Sequence, residues 1–489
     1  MPKIIAKSNM TDSVTNFGGN LRFSPAEYLT PRSEDEVLQI LLEHSGRKIR
    51  AVGRLHSWSE APVADEILID LRHLDQVQTE RQDDDVLVTV GAGCQIKRLL
   101  AELDRMHLTI PSVGLIAEQT IAGAISTGTH GSGKHSLSHY VVEARLAAYD
   151  ETTGQAVIRT VGEGPELRAA RCALGCLGII LAVKLPCRPQ YRIEEHVREY
   201  ATLDEVLAQE ETYPLQQFFL VPWRWRFFAQ HRRETPHRRS ALAGLYRLYW
   251  LLTIDLALHL VVIFLVKLLR SRAVARFFYR RILGLAVVRG WKVVDDSQAM
   301  LVMRHELFCH IEIELFVARP RLAEALAFVR EVLQSFDGDP STLSHATRQR
   351  LAAIGLLDSL LHDAGTYTHH YAICVRRVLP DDTLISMAGG LAEPCYAISF
   401  ISYAGASDRA GFFAFASFLA KSMAELFAAR PHWGKVCPLG ARRIEALYPQ
   451  LREFREICLA RDPKGVFRNR WISEVVFDEP PGRPMESPS

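Results

Sequence analysis

Two segments in the first third of the chain combine a histidine, glycines and hydroxyl side chains in a way that suits a phosphate-bearing ligand. Residues 51–60 read AVGRLHSWSE, in which Gly53 permits a tight turn after an apolar run and presents His56 beside Ser57. Residues 110–133 read IPSVGLIAEQTIAGAISTGTHGSG. Such a stretch exposes backbone N–H groups and hydroxyls without bulky side chains, as a pyrophosphate requires. Taken singly, a histidine after a strand is more often a hydrogen-bonded structural residue than a reactive one, and a Gly/Ser/Thr-rich stretch is more often a turn or linker than a phosphate site.

The motifs that follow, and their order, identify a family. LGCLGIILAVKLPCRPQ occupies residues 174–190, RPHWGKV 430–436 and DPKGVFRNRW 462–471. From about residue 16 to residue 477, this series resembles the FAD-linked sugar-1,4-lactone and alditol oxidases of the vanillyl-alcohol-oxidase type, and is most similar to their gulonolactone and arabinonolactone oxidase branch. The resemblance implies that FAD is bound covalently, through its 8α-methyl group, to His56.

The resemblance also implies which residues contact the cofactor. Most lie in the two segments above, and the others lie near residues 180 and 435. The predicted cofactor-binding residues are Gly53, Arg54, Leu55, His56, Ser57, Pro111, Ser112, Gly114, Thr120, Gly123, Ser126, Thr127, Thr129, His130, Gly178, Ile180 and Lys435.

The family removes a hydride from a carbon that bears a hydroxyl group, so fixed cations are needed to stabilise negative charge. Arg376 and Lys435 match the positions of such cations in the family. Without the resemblance, each would be interpreted as a surface cation, solvated or paired with a nearby aspartate. Relatives usually carry a Glu-x-Arg pair, whereas this chain has Cys374 two residues before Arg376. Substrate identity is therefore open.

A strand that reads HIEIELF offers a replacement carboxylate, because Glu312 and Glu314 lie on one face of it. We predict a catalytic role for Glu314, and the alternative is a solvated strand face. Gly114 matches the family position that gates the approach of oxygen, and it has no Cβ to block the path. An oxidase that produces hydrogen peroxide is therefore favoured over a dehydrogenase.

Composition bounds the remaining possibilities. A chain of 489 residues exceeds one ordinary core, and 48% hydrophobic with 23% charged residues describes a globular protein. The net charge of +2 argues against a nucleic-acid partner. Nine cysteines are scattered without any CxxC spacing, which favours a reducing compartment and predicts no metal site.

Short strands alternate with helices up to about residue 190, and no strand followed by GxGxxG opens the chain. We predict an α+β protein of four parts. A two-part FAD-binding domain of the vanillyl-alcohol-oxidase type covers residues 15–190, and an α+β substrate cap domain covers 195–430. Residues 431–477 return to the flavin, and the Pro-rich residues 478–489 form a disordered tail.

The cap contains an apolar insertion at about residues 241–290. Within it, residues 248–266 read LYWLLTIDLALHLVVIFLV, roughly 30 Å as a helix, with Arg-rich sequence on both sides. One crossing would place His56 and Lys435 on opposite sides of a membrane, although both are predicted to contact one flavin. We therefore predict a hairpin or an interfacial helix pair that contacts lipid on the cytoplasmic side of a membrane. A buried cap helix in a cytoplasmic protein is the alternative.

The predicted function is FAD-dependent oxidation of a gulono-, galactono- or arabinono-1,4-lactone, with O2 as electron acceptor. Two alternatives stay open. One is an alditol oxidase or a lactone dehydrogenase that uses another acceptor. The other is a flavoprotein that has lost substrate chemistry and serves as a partner at the membrane, which the Cys374 replacement would explain.

Overall fold

In a computed structural model, the described residues are 13–83, 85–269, 271–303, 308–403, 405 and 409–479. The first half contains three sheets. A two-stranded sheet pairs β1 with β2, three parallel strands follow the order β3-β5-β4, and a six-stranded antiparallel sheet follows the order β10-β9-β11-β7-β6 with β8 beside β11. The strands are β1 Val14–Thr15, β2 Arg22–Phe23, β3 Glu27–Leu29, β4 Ile49–Val52, β5 Ile67–Asp70, β6 Val77–Gln82, β7 Asp85–Gly91, β8 Leu108–Thr109, β9 Glu143–Tyr149, β10 Ala156–Val161 and β11 Ile179–Pro189.

Helices in this half follow their local sequence. Ser33 caps the helix Glu34–Glu43, because its side chain accepts a hydrogen bond from the Glu36 N–H, and Ile40 and Leu41 are buried beneath it. The others are Ile96–Asp104, Ile121–Ser126, the 3₁₀ turn Leu137–Tyr140 and Gly164–Ala170.

The second half is built on one antiparallel sheet of eight strands, in the order β15-β12-β14-β13-β17-β18-β16-β19. Its strands are β12 Arg192–Tyr200, β13 Gln217–Val221, β14 Arg226–Thr235, β15 Val293–Asp296, β16 Ile311–Ala318, β17 Ile373–Val378, β18 Cys395–Ser402 and β19 Arg430–Pro431. Its helical segments are Leu203–Leu207, Arg319–Arg321, Leu322–Phe336, Pro340–Thr342, His345–Ala353, Leu357–His362 and Arg409–Phe427, together with Ser297–Leu301 and those of the insertion below. The final helices are Ala441–Leu447, Leu451–Arg461 and Arg470–Val475.

The register of this sheet brings distant residues into rows. Cys374 on β17 lies opposite Ser399 on β18, and Ser399 lies opposite Glu314 on β16. Because side chains alternate along a strand, Arg376 and Glu312 share the face of that row. The sheet therefore aligns a thiol, a hydroxyl, two carboxylates and a guanidinium on one surface.

The apolar insertion is a helical excursion from one end of this sheet. Its first part is a continuous helix over Ala243–Leu269, and its second part consists of Arg272–Phe277, Phe278–Ile282 and Leu283–Ala286. Arg192 on β12 lies opposite Thr235 on β14 on one side and opposite Asp296 on β15 on the other. The insertion therefore begins and ends beside the same strand.

The α+β fold with a two-part FAD-binding half and an apolar helical insertion is confirmed. The predicted boundaries at residues 190, 195 and 430 stay predictions. Residues 480–489, most of the predicted disordered tail, lie outside the described residues.

Candidate active site

One cavity of about 770 Å³ joins the two sequence segments to the eight-stranded sheet. Its wall includes Arg376, Lys435 and Glu314 and nearly all of the predicted cofactor contacts. Those on the wall are Gly53, Arg54, Leu55, His56, Ser57, Gly114, Thr120, Gly123, Ser126, Thr127, Thr129, His130, Gly178, Ile180 and Lys435. Pro111 and Ser112 instead line a small neighbouring pocket, where Ser112 Oγ donates a hydrogen bond to the His135 carbonyl at 2.9 Å.

The turn after β4 provides a site for an anion. Leu55 adopts a left-handed conformation with φ of 53°, which costs a residue with a Cβ about 1–2 kcal/mol. Within the described residues, no protein acceptor takes the backbone N–H groups of Arg54, Leu55 or Ser57. A Cβ on Gly53 would overlap Thr120 Oγ1, so glycine permits the two segments to meet. Backbone N–H groups gathered around a left-handed residue suit a pyrophosphate, so this turn fits FAD.

His56 follows in the same turn and packs against Phe17, with 4.7 Å between the ring centroids. Burial lowers the pKa of His56 to about 4, and the positive charges of Arg54 and Lys435 act in the same direction. The imidazole is therefore uncharged at neutral pH. An uncharged ring retains the nitrogen lone pair that a covalent bond to the flavin requires.

Glu314 and Arg376 form a buried ion pair on the cavity wall, with Arg376 Nη2 donating to Glu314 Oε1 at 3.0 Å. Burial alone would raise the pKa of Glu314, but Arg376 and His130 outweigh it and hold that pKa well below its usual range. Arg376 Nε is also buried and has no acceptor among the described residues. The surface-cation interpretation of Arg376 is therefore wrong, and a guanidinium donor is left for a ligand.

Glu312 and Lys435 form a second ion pair near the first. Lys435 also lies over the Trp58 ring, 4.3 Å from its centroid, and Ser399 donates a hydrogen bond to Glu312. Burial by itself would raise the pKa of Glu312, but the neighbouring Lys435 and His310 lower it to about 2. Both glutamates are buried, so the alternative of a solvated strand face is wrong.

Two histidines complete the charged end of the cavity. His130 Nδ1 lies 2.9 Å from the Gly131 carbonyl, and His130 Nε2 lies 3.5 Å from Glu314 Oε1. His432 accepts a hydrogen bond from the Gly434 N–H at 2.9 Å, and burial lowers the pKa of His432 to about 3. Sequence reasoning missed His432, although it lies in the RPHWGKV motif.

His130, Glu314 and His432 offer ligand atoms within 4.8 Å of one another, which is metal-like spacing. The Arg376 guanidinium already forms an ion pair with the Glu314 carboxylate, so a metal ion bound there would lie beside a fixed positive charge. The prediction of no metal stays a prediction.

Cys374 takes the place of the glutamate that the family resemblance predicts. Burial raises the pKa of the Cys374 thiol to about 11, so the group there is uncharged.

Gly114 also lines the cavity, and a Cβ there would lie 2.6 Å from Thr129 Cγ2. A methyl group at Gly114 would displace Thr129 as well as narrow the cavity.

Beyond the charged end, the cavity wall is mainly apolar and is formed by the helical insertion, the segment between β15 and β16, and the sheet. Its members are Phe219, Tyr246, Trp250, Leu251, Ile254, Met300, Leu301, Val302, Met303, Phe308, Ile401 and Tyr403. His259 lies among them, with its Nε2 3.2 Å from the Tyr371 hydroxyl. Sequence reasoning did not place the insertion at the active site, because nothing in residues 248–266 shows which face meets the cavity.

Comparison with known proteins agrees with this geometry. A family model for the FAD binding domain matches residues 25–154, and a model for D-arabinono-1,4-lactone oxidase matches residues 183–475. The chain belongs to the D-arabinono-1,4-lactone oxidase family. It is therefore an FAD-dependent oxidoreductase that acts on CH–OH groups, as the sequence predicted.

Individual relatives carry different substrate names. The chain is 56% identical to a long-chain alcohol oxidase of an uncultured marine euryarchaeote, over 94% of this chain and 96% of that one. It is 24% identical to the L-gulonolactone oxidase of Bos taurus, over 93% and 96%. The crystal structure of cholesterol oxidase from B. sterolicum superimposes with a TM-score of 0.74 at 16% identity and covers 97% of this chain and 98% of that one, a likeness of fold.

Proposed function

We propose that this member of the family oxidises the terminal hydroxyl group of a long-chain, apolar alcohol to an aldehyde, and that O2 accepts the electrons. One observation carries the proposal: a single cavity joins the charged groups beside the flavin-binding turn to an apolar wall from the helical insertion. A hydroxyl group at the charged end and an alkyl chain along the apolar wall would match both surfaces. The name of the 56% identical relative supports the same substrate class.

Arg376, His130 and Glu314 each have a separate part in oxidising the hydroxyl group beside the flavin. The turn at residues 53–57 and the segment at residues 114–130 would hold FAD, which would supply a hydride acceptor. Arg376 donates from its Nε to the substrate oxygen and stabilises negative charge there. His130 Nδ1 donates to the Gly131 carbonyl, so Nε2 is the nitrogen that accepts the hydroxyl proton. Glu314, 3.5 Å from that nitrogen, stabilises the resulting imidazolium.

A sugar-1,4-lactone or a polyol is the second candidate, in keeping with the sequence prediction. Two specific features favour it. The cavity wall also holds Gln217, Gln230 and the buried Arg232, which offer hydrogen bonds to several hydroxyl groups, and the matching family model describes a lactone oxidase. The uncharged Cys374 weakens this candidate, because relatives place there a carboxylate that can bind sugar hydroxyls.

Hydrogen peroxide production with a substrate panel decides between the two candidates. We expect kcat/KM to be at least about tenfold higher for dodecanol than for L-gulono-1,4-lactone, D-arabinono-1,4-lactone or xylitol, because apolar burial contributes roughly 0.8 kcal/mol per CH₂ group. Higher kcat/KM for a lactone would overturn the long-chain proposal. Flavin reduction without peroxide would instead indicate a dehydrogenase, and no reduction by any member would indicate a flavoprotein without substrate chemistry.

The same insertion supports attachment to a membrane surface. Fourteen of the nineteen exposed large hydrophobic side chains among the described residues lie between Leu242 and Val288. The helix over Ala243–Leu269 is long and apolar enough to cross a bilayer, and only 17% of its most apolar window is buried. The helix over Arg409–Phe427 passes the same test but is 56% buried, as a core helix is. Since β14 and β15 flank the same strand, a single crossing between them is incompatible with the sheet.

Charge favours an anionic surface as the partner. Residues 241–290 contain eight Arg or Lys residues and one Asp, a net charge of +7 in a chain whose total is +2. The remainder of the chain is therefore net acidic, and the molecule is polarised toward the insertion. We propose that the insertion lies in the interface of an anionic, cytoplasmic membrane leaflet, with its apolar face in lipid.

Vesicle flotation tests this attachment. Wild-type protein should float with vesicles that contain phosphatidylserine. Changing Leu252, Leu260 and Leu268 together to glutamine should weaken partitioning about 100-fold or more, because each leucine loses apolar burial. The matched control changes Leu42, Leu361 and Leu459, which are also exposed but lie outside the insertion, and it should still float. A soluble protein that dimerises through the insertion would contradict the proposal.

A further inference from the structure

The helix over Ala243–Leu269 presents one face to the outside of the protein and another face to the cavity. Leu248, Leu252 and Leu260 point outward and are each about half exposed. Tyr246, Trp250 and Ile254, on the same helix, line the cavity that reaches the flavin-binding turn. One helix therefore separates the proposed lipid surface from this cavity.

Two leucines lie both on the cavity wall and at the outer surface of the protein. They are Leu251 and Leu115, and each is 37% exposed. We name this pair the leucine rim. The Met303 N–H donates to the Leu115 carbonyl at 2.8 Å, so the segment that carries Met303 forms the wall beside the rim. Leu251 also belongs to the exposed face of the insertion, so the cavity wall is continuous with that face at this residue.

The surroundings of the rim suit a lipid interface. Arg247, one helical turn before Leu251, also lines the cavity, and its Nε lies 3.2 Å from Asp295. A cation beside an apolar opening resembles the boundary between headgroups and acyl chains. The helix is π-helical over Leu251–Leu258, and such wide turns occur frequently at functional sites.

Polar side chains lead from the insertion toward the charged end of the cavity. From His259, ring contacts lead through Tyr403 at 5.3 Å to His310 at a further 5.7 Å, and His310 Nε2 lies 3.8 Å from Glu312. A hydroxyl group that enters past the rim therefore meets progressively more polar side chains. An alkyl chain that follows it stays against the apolar wall.

We propose that the leucine rim is the entrance through which an apolar alcohol passes directly from the lipid leaflet into the active site, without crossing water. The inference rests on the proposed function and deepens it. Transfer from lipid to an apolar cavity avoids exposing the alkyl chain to water, so a substrate that is dilute in water stays available at the concentration it has in the membrane. The outward-facing leucines keep the rim at the level of the acyl chains of the leaflet.

The test compares a rim residue with a leucine outside the insertion. Leu251→Trp narrows the entrance, whereas Leu361→Trp adds the same bulk to a similarly exposed position off the cavity wall. With dodecanol in phosphatidylserine-containing vesicles, Leu251→Trp should lower kcat/KM about tenfold or more relative to its effect on butanol supplied in water. Leu361→Trp should leave both values as in the wild type. Equal losses for both alcohols in Leu251→Trp, or no loss for dodecanol, would overturn the entrance.

A binding measurement separates failure of the entrance from failure of the proposed function. Mixing the holoenzyme with vesicles that carry dodecanol should perturb the flavin absorption spectrum, and Leu251→Trp should slow that change while Leu361→Trp does not. If the wild type oxidises only lactones but shows this Leu251-dependent perturbation, the entrance stands and the substrate proposal fails. If dodecanol never perturbs the spectrum, the entrance is wrong.

Discussion

Replacing Arg376 with methionine is expected to lower the rate of substrate-driven flavin reduction by about 100- to 1,000-fold, the usual effect of removing one preorganised electrostatic contact. Arg376 is buried on the cavity wall, and its Nε is the donor that no described protein group uses. The loss should appear in anaerobic stopped-flow measurements at saturating substrate, because the contact is proposed to strengthen as negative charge develops on the substrate oxygen. Arg376→Lys should recover only part of the rate, since an ammonium lacks the planar fork.

A buried charge left without a partner would also destabilise the fold, so the structural and catalytic effects need to be separated. The double variant Arg376→Met with Glu314→Gln removes both charges and should recover thermal stability without recovering the rate. Arg377→Met is the matched control, because the Arg377 side chain lies on the opposite strand face and donates to the Pro214 carbonyl. Near-wild-type reduction in the double variant would show that Arg376 acts only as a structural partner of Glu314.

The first half of the fold followed from local sequence. The helix after Ser33 has its cap, its acidic first turn and its apolar spacing within one segment, and β4, β5 and β7 are apolar runs of ordinary length. The same is true of β16–β18. The sequence did not predict strands β12–β15. In β12, β14 and β15 some buried positions carry charged residues, whereas β13 is a short, mainly apolar run. Glu195 on β12 is buried against Arg232 on β14, which pairs with it although the two residues are 37 apart in the chain.

Only some features of the site could be predicted from the sequence. Most of the residues that the motifs named line the cavity, since glycines and histidines in fixed order carry a local signal. The partnership of Glu314 with Arg376, and of Glu312 with Lys435, depends on the order of strands in the sheet. The role of the insertion depends on which helix face turns inward. Hydropathy marks Leu251 and Leu252 alike, yet only Leu251 lines the cavity.

Replacing His56 with alanine is expected to abolish covalent attachment of the flavin. In wild-type protein the flavin should stay with the chain after acid precipitation and should fluoresce on a denaturing gel, whereas in His56→Ala it should be extractable. The bond would join an imidazole nitrogen to the 8α-methyl carbon, at the expense of one C–H bond and the imidazole N–H bond, and the two protons and two electrons released would reduce O2 to hydrogen peroxide. A lone pair on the ring is the requirement, and burial maintains it by lowering the pKa of His56 to about 4.

This pKa gives the prediction a pH signature. An ordinary histidine would lose its lone pair to protonation as the pH falls below about 6.5. For His56, the rate at which apoprotein incorporates added FAD covalently should stay level from pH 8 to about 5 and fall only as the pH approaches about 4, the pKa to which burial lowers it. His310→Gln is the control, because His310 also lies on the cavity wall near the turn, and it should retain covalent flavin. Flavin that is freely extractable from wild-type protein, or release by His310→Gln alone, would exclude His56 as the attachment site.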